Sequence, residues 1–122
     1  DYTGALTILQ TSRNGFLGLS EFHEALALGA QGIVYVFQED MKGVELIISE
    51  LENFGESAGA KSMIGIIKLY MGDHSKGYKI LQDNILNDNP YIYFFIDPKL
   101  DRFRNDAQFI KLLTLYNKDT IS

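Results

Sequence analysis

The chain has 122 residues, a formal net charge of −5, 46% hydrophobic residues, 22% charged residues and no cysteine. This composition suits one domain with a substantial core and is too apolar for intrinsic disorder. It excludes a disulfide scaffold, a thiolate nucleophile and cysteine-ligated zinc, and the negative charge argues against nucleic acid or an anionic membrane as partner.

The N-terminal segment predicts one helix followed by a turn. Asp1 can cap a helix over Tyr2–Thr11, because a carboxylate accepts hydrogen bonds from free N–H groups at a helix start. Ser12–Gly15 is rich in residues that tolerate left-handed backbone, which favours a turn. No apolar run approaches the roughly 18–20 residues that span a bilayer.

Two helices then follow as a hairpin. Ser20 is a suitable N-cap for a helix that runs to about Gln38, and its apolar residues recur at three- and four-residue intervals. Glu39 and Asp40 interrupt this pattern. A second helix is predicted over about Met41–Phe54, with Gly55 as the glycine that ends it.

A second pair of helices repeats this organisation. Ser57–Ala60 opens its first helix, which ends near Gly72, and Asp73 or Ser75 can cap its second helix. Asn87–Pro90 stops that helix, because proline cannot continue it and biases its predecessor to extended geometry.

The C-terminal segment has a different character. Tyr91–Ile96 is apolar on every side, so we expect it to be buried. Its β-propensity alone would allow a strand, but a short helical turn is favoured because no other predicted strand could pair with it. Asp97 and Pro98 start a further short turn, and Asn105 with Gln108 resembles a capping box for a last helix. The apolar residues of these two elements are Leu100, Phe103, Phe109, Ile110, Leu112, Leu113 and Tyr116.

The two helix pairs are related by an internal repeat. Ala25–Glu52 matches Ala58–Ile85, with identities at Ala25/Ala58, Ala27/Ala60, Gly32/Gly65, Ile33/Ile66, Asp40/Asp73 and Ile47/Ile80. The offset, which we call the repeat spacing, is the period of roughly 33 residues that is typical of helix–turn–helix solenoids. The sequence therefore predicts an all-α fold of antiparallel helical hairpins stacked as an α-solenoid, an architecture that usually binds partners.

The second repeat resembles the tetratricopeptide consensus. The residues that carry the likeness are Ile64, Gly65, Gly72, Asp73, Gly77, Leu81 and Pro90. The small side chains of Gly65 and Gly77 would let the two helices of a hairpin approach closely. The resemblance implies one domain over residues 1–122, with a half repeat at 1–15, repeats at 20–55 and 57–90, and a C-terminal cap with a capping helix at 91–122.

The tail carries a second resemblance. Asp97–Asp101, Phe103–Asp106 and Phe109 are similar to the ending of tetratricopeptide regions at the C-termini of bacterial multidomain regulators. This implies the C-terminal part of a larger bacterial regulatory protein, and the start at Asp1 instead of Met also indicates a piece of a longer chain. We expect a cytoplasmic location, although the absence of cysteine suits the periplasm equally.

Residues that could support catalysis or metal binding are sparse. His23 and His74 have no recognisable partner at ligand spacing, so surface or packing roles are favoured for both. The acidic clusters lack the spacing of a calcium loop. We therefore predict no catalytic residue, no cofactor and no metal site.

The most informative surface is the concave groove that the resemblance implies. First-helix residues would line it, namely Ile33, Val36, Phe37, Ser62, Ile66, Leu69 and Tyr70. It lacks the Lys, Arg and Asn residues with which chaperone-binding members of the family grip a C-terminal carboxylate, which excludes that kind of peptide binding. Three occupants remain open: the tail Tyr91–Ile96, a second subunit in a homodimer, or a hydrophobic peptide or small molecule.

These expectations predict a non-enzymatic protein–protein interaction module with a protein or peptide partner. The alternative is a regulatory domain that senses an apolar small molecule or peptide in the groove. A hydrolase or metalloenzyme is a third, weaker hypothesis.

Overall fold

The computed structural model describes residues 21–55, 57–86 and 97–121, and the side chains of residues 23–55, 57–86 and 97–116. Within these residues the chain is entirely helical and has no strand. The elements are α1 (Glu21–Phe37), α2 (Met41–Glu52), α3 (Ala58–Tyr70), α4 (His74–Leu86), a 3-10 helix (Pro98–Phe103) and α5 (Ala107–Ile121). The expectation of an all-α protein is confirmed for this part of the chain.

The turn between α1 and α2 is built from local hydrogen bonds. The backbone N–H of Asp40 donates to the carbonyl of Tyr35 at 3.0 Å, and that of Glu39 donates to Val36 at 3.0 Å. Glu39 has a left-handed φ of 57°, which closes α1. Asp40 then caps α2, because its Oδ1 accepts from the N–H of Gly43 at 3.0 Å.

The turn between α3 and α4 has the same construction one repeat spacing later. The backbone N–H of Asp73 donates to the carbonyl of Lys68 at 2.9 Å, and that of Gly72 donates to the carbonyl of Leu69 at 3.0 Å. Gly72 has a φ of 88°, so glycine occupies the left-handed position that Glu39 holds in the first turn. The periodicity of the sequence therefore corresponds to a periodicity of backbone geometry.

Contacts between α1 and α2 run in opposite order along the two helices. A Cβ on Gly43 would lie 2.5 Å from Cδ1 of Tyr35, and a Cβ on Gly32 would lie 3.2 Å from Cγ2 of Ile47. The contact partner moves forward along α2 as the chain position moves back along α1. The two helices therefore form an antiparallel hairpin.

The second hairpin, α3 with α4, has equivalent contacts. A Cβ on Gly65 would lie 3.2 Å from Cγ2 of Ile80, and one on Gly77 would lie 2.8 Å from the carbonyl oxygen of Gly65. At the other end, Nδ2 of the buried Asn84 donates to Ser62 Oγ at 2.8 Å. The expected close approach of helices at Gly65 and Gly77 is confirmed.

The first helices of the two hairpins, α1 and α3, pack side by side in the same direction. A Cβ on Gly29 would meet the side chain of Met63, and one on Gly32 would lie 2.5 Å from Cδ1 of Ile67. The contact partner moves forward along α3 as the chain position moves forward along α1. The glycines of α1 provide the room for this packing.

The C-terminal elements continue the repeat spacing. The helices that follow the turns begin at equal intervals, at Met41, His74 and Ala107. Asp106 precedes α5 as Asp40 and Asp73 precede α2 and α4, and its carbonyl accepts from the N–H of Ile110 at 3.0 Å. The segment before Asp106 differs, because it is a 3-10 helix instead of a long α-helix.

Side-chain oxygens cap the start of α3 and the start of the 3-10 helix. Ser57 caps α3 by accepting from Ala60 N at 3.3 Å, and Asp97 caps the 3-10 helix by accepting from Lys99 N at 2.9 Å. The predicted capping box at Asn105 is wrong by a single position. Oδ1 of Asp106 instead accepts from the N–H of Gln108 at 3.4 Å, since α5 begins at Ala107.

Some expectations lie outside the described residues. These are the helix at residues 2–11 with its half repeat, the Ser20 cap, the stop at residues 87–90 and the apolar segment 91–96.

A single apolar cluster connects all of the described elements. Its largest members with almost no exposure are Leu28, Leu51, Met63, Ile66, Ile67, Leu69, Leu81, Leu100 and Phe109. Because Leu100 and Phe109 belong to this cluster, the C-terminal elements are part of the same core as the hairpins.

The left-handed position is held by glutamate in the first turn and by glycine in the second, so exchanging these residues should change stability in opposite directions. Replacing Glu39 by glycine should raise the free energy of unfolding by about 0.5–1 kcal/mol, since glycine adopts left-handed backbone without the penalty of a side chain. Replacing Gly72 by glutamate should lower it by about 1 kcal/mol. Urea denaturation of both variants measures the two effects, and a destabilised Glu39→Gly protein would contradict the assignment.

Candidate interaction surface

Three aromatic residues at the helix ends form a continuous series across the elements. Phe37 ends α1, Tyr70 ends α3 and Phe103 ends the 3-10 helix, each one repeat spacing after the last. The ring centroids of Phe37 and Tyr70 are 5.9 Å apart, and those of Tyr70 and Phe103 are 5.3 Å apart, both edge to face. We call these three residues the aromatic ladder; such ring pairs stabilise packing beyond simple burial.

Tyr70, the middle residue of the aromatic ladder, is hydrogen-bonded to the 3-10 helix. The hydroxyl of Tyr70 donates to the carbonyl oxygen of Lys99 at 2.6 Å. Burial raises the pKa of Tyr70 above its ordinary value, although the positive charge of Arg102 opposes the shift. The hydroxyl therefore stays protonated at neutral pH and remains a donor to the segment.

A second tyrosine connects α4 to the start of α5. The hydroxyl of Tyr78 donates to Oδ2 of Asp106 at 2.8 Å. Burial and this hydrogen bond both raise the pKa of Tyr78 above its ordinary value, because ionisation would place a second negative charge beside the carboxylate. The ring of His74 packs edge to face against both Tyr78 and Phe103.

Arg102 lies over two rings of the aromatic ladder, those of Phe37 and Tyr70. Its guanidinium carbon is 5.0 Å from the ring centroid of Tyr70 and 5.6 Å from that of Phe37. Both distances are within the range of cation–π attraction. Arg102 and Phe37 are exposed, with 44% of Phe37 accessible, so the cation and the ring form a surface.

The predicted groove residues separate into two groups. Ser62, Ile66 and Leu69 have 1% exposure or less, and Ile33 has 9%, so the chain itself covers these side chains. Phe37 is exposed, whereas Val36 and Tyr70 are half-buried. The structure brings Phe37 and Tyr70 together, and it places Ser62 inside the second hairpin as the partner of Asn84.

The histidines and acidic residues do not assemble into a recognisable chemical site. His23 is exposed near the start of α1, and His74 contributes to packing, as described above. In the parts of the chain that the structure describes, no group of three or more His, Cys, Asp or Glu residues could hold a metal ion.

Sequence reasoning overlooked the buried Phe103 as a member of the aromatic ladder and the exposed Arg102 as a member of this surface. The signal for Phe103 was present, because Phe37, Tyr70 and Phe103 are aromatic residues at the repeat spacing. The same spacing relates the three aspartates that precede α2, α4 and α5. No sequence pattern places Arg102 over two rings, since that contact depends on how the 3-10 helix packs against α1 and α3.

Comparison of the chain with protein-family models, with curated proteins and with solved structures gives no match. None of the described helices combines the length and the apolar character that crossing a membrane requires.

Proposed function

We propose that this chain is a non-enzymatic protein–protein interaction module built from stacked, tetratricopeptide-like helical hairpins. The observation that carries the proposal is the equivalence of the two hairpins. Gly32 approaches Ile47, and Gly65 approaches Ile80: a Cβ added to either glycine would lie 3.2 Å from the Cγ2 of its isoleucine. The two glycines, and likewise the two isoleucines, are related by the repeat spacing.

Repeated hairpins of this kind favour binding over catalysis. Each repeat contacts only its neighbours, so a stack presents an extended surface instead of one enclosed site. The continuation of the spacing to Asp106 and α5 supports a C-terminal cap, in which the 3-10 helix takes the place of a full first helix. The proposed context is the C-terminal part of a larger bacterial regulatory protein.

The exposed apolar residues indicate where a partner would bind. Phe37 is 44% exposed and Met41 is 48% exposed, and both flank the turn between α1 and α2. Ser62, Ile66 and Leu69 are buried. Their burial favours a partner that binds at the exposed Phe37 and Met41 over a small molecule that binds deep in the groove. The predicted partner is therefore a protein or peptide that contacts the turn between α1 and α2 and the exposed ring of Phe37.

Capture of a partner followed by measurement with purified proteins tests this proposal. The immobilised chain should retain a defined protein from bacterial extract, and isothermal titration should give a Kd for that protein. Replacing Phe37 by serine should weaken binding by about tenfold, as expected for an aromatic residue at the centre of an interface. The matched change Leu86→Ser, at an apolar residue that is 51% exposed, should leave binding unchanged. Retention of no protein, or turnover of a substrate by the chain, would contradict the proposal.

A further inference from the structure

Arg102 is a cation whose neighbouring carboxylates already have partners. Oδ1 of Asp101 accepts from Nε of Arg104 at 2.7 Å, and Oδ1 of Asp97 lies 3.4 Å from Nζ of Lys99. Among the described ranges, no carboxylate is paired with Arg102, which instead contacts two rings.

Arg102 is exposed, so its guanidinium is accessible to a ligand. A guanidinium presents its N–H donors as a planar fork. Those donors match the two oxygens of a carboxylate, and a charge-assisted pair of this type is stronger than a neutral hydrogen bond. The rings of Phe37 and Tyr70 restrict the position of the group, so less conformational entropy is lost on binding.

An apolar surface lies directly beside this cation. Phe37 contacts Arg102 and is exposed, and the half-buried Val36 precedes it in α1. A ligand that satisfies both features carries one carboxylate next to one apolar side chain. Asp or Glu beside a hydrophobic residue has this chemistry in a peptide.

Resting on the proposed function, we propose that Phe37, Tyr70 and Arg102 form a docking site for an acidic–apolar peptide segment of the partner. The side-chain carboxylate of the segment pairs with Arg102, and the adjacent apolar side chain packs on Phe37. A polyanion such as nucleic acid is disfavoured, because the chain has a net charge of −5 and the site offers one guanidinium.

A matched peptide array tests the site with the chain as it exists. The probe is an array of acetylated, amidated dodecapeptides in which an apolar residue stands beside Glu, beside Gln or beside Lys. Blocking both ends leaves side chains as the only source of charge. The chain should retain the Glu set above the Gln set by about tenfold, and it should retain the Lys set least, as expected for a charge-assisted pair.

Variants then assign the selectivity to Arg102. Arg102→Gln should remove the preference for Glu over Gln, and Arg102→Lys should retain only part of it, because lysine lacks the planar fork. Lys111→Gln, which removes one exposed positive charge from α5, should leave the preference intact. The thermal midpoint of Arg102→Gln should stay within a few degrees of the parent, which separates lost binding from lost folding.

Defined outcomes would overturn the inference. Equal retention of the Glu and Gln sets, retention of no set, or equal effects of Arg102→Gln and Lys111→Gln would each contradict it. Self-association of the chain that Arg102→Gln abolishes would make a second copy the occupant and would also overturn it. If the captured protein partner binds the parent and Arg102→Gln equally, this inference fails while the proposed function stands.

Discussion

Replacing Gly77 by alanine should lower the free energy of unfolding by about 2–3 kcal/mol, as expected when a methyl group is forced into a filled contact. The added Cβ would lie 2.8 Å from the carbonyl oxygen of Gly65 and 2.7 Å from Cδ2 of Leu69. The leucine can adjust, but the carbonyl belongs to the backbone of α3, so α3 and α4 must separate. Chemical denaturation measures the loss.

An exposed position in α4 provides the matched control. Gln82 is exposed, and there alanine should be more stable than glycine by about 1 kcal/mol, because glycine loses more backbone entropy in a helix. At position 77 the order should be reversed. If alanine were equal to or better than glycine at both positions, the close approach of the two helices would be refuted.

A graded comparison tests the geometry further. A Cβ on Gly65 would meet Leu81 Cγ at 3.1 Å and the Gly77 carbonyl oxygen at 3.2 Å, which are looser contacts than those at Gly77. Gly65→Ala should therefore be less destabilising than Gly77→Ala.

Replacing Phe103 by alanine is expected to lower the free energy of unfolding by about 3 kcal/mol, the usual cost of truncating a buried phenylalanine. Phe103 is 7% exposed and its ring contacts those of Tyr70 and His74. The truncation removes both edge-to-face contacts and leaves a cavity under the 3-10 helix. Thermal or urea denaturation reports the total loss.

Hydrogen exchange should locate this loss in the C-terminal segment. The N–H groups of Leu100 and Asp106, which bond to Asp97 and Phe103, should exchange faster by a larger factor than those in the middle of α3. Phe103→Leu is the control: it keeps an apolar side chain and should lose less. If Phe103→Ala accelerated hydrogen exchange equally at all amides, a local role for Phe103 would be contradicted.

Much of the local structure could be predicted because it depends on neighbouring residues. Gly72 marks a helix end that needs left-handed backbone, and Ser57 supplies a side-chain oxygen to the first turn of α3. The internal repeat identified equivalent turns, since a repeated local sequence produces a repeated local geometry. The Asn105 cap was misplaced by a single position because Asp106, the next residue, is an equally suitable acceptor.

The candidate surface was only partly predictable. Two of the predicted groove residues, Phe37 and Tyr70, lie in ring contact. The sequence offered no means to distinguish them from Leu69 or Ile66, which are also apolar but lie in the interior. Exposure is decided by which neighbouring elements cover a side chain. For Leu69, part of that cover comes from the approach of α4 at Gly77.

The sequence by itself determined the helical class of the described residues, the period of the hairpins and the positions of their turns, because these follow from local backbone preferences and apolar spacing. Only the tertiary structure decided that the rings of Tyr70 and Phe103 meet edge to face, and that Arg102 lies over the rings of Phe37 and Tyr70. Those contacts join residues that are distant in the chain, so they depend on the packing of whole helices and not on any one segment.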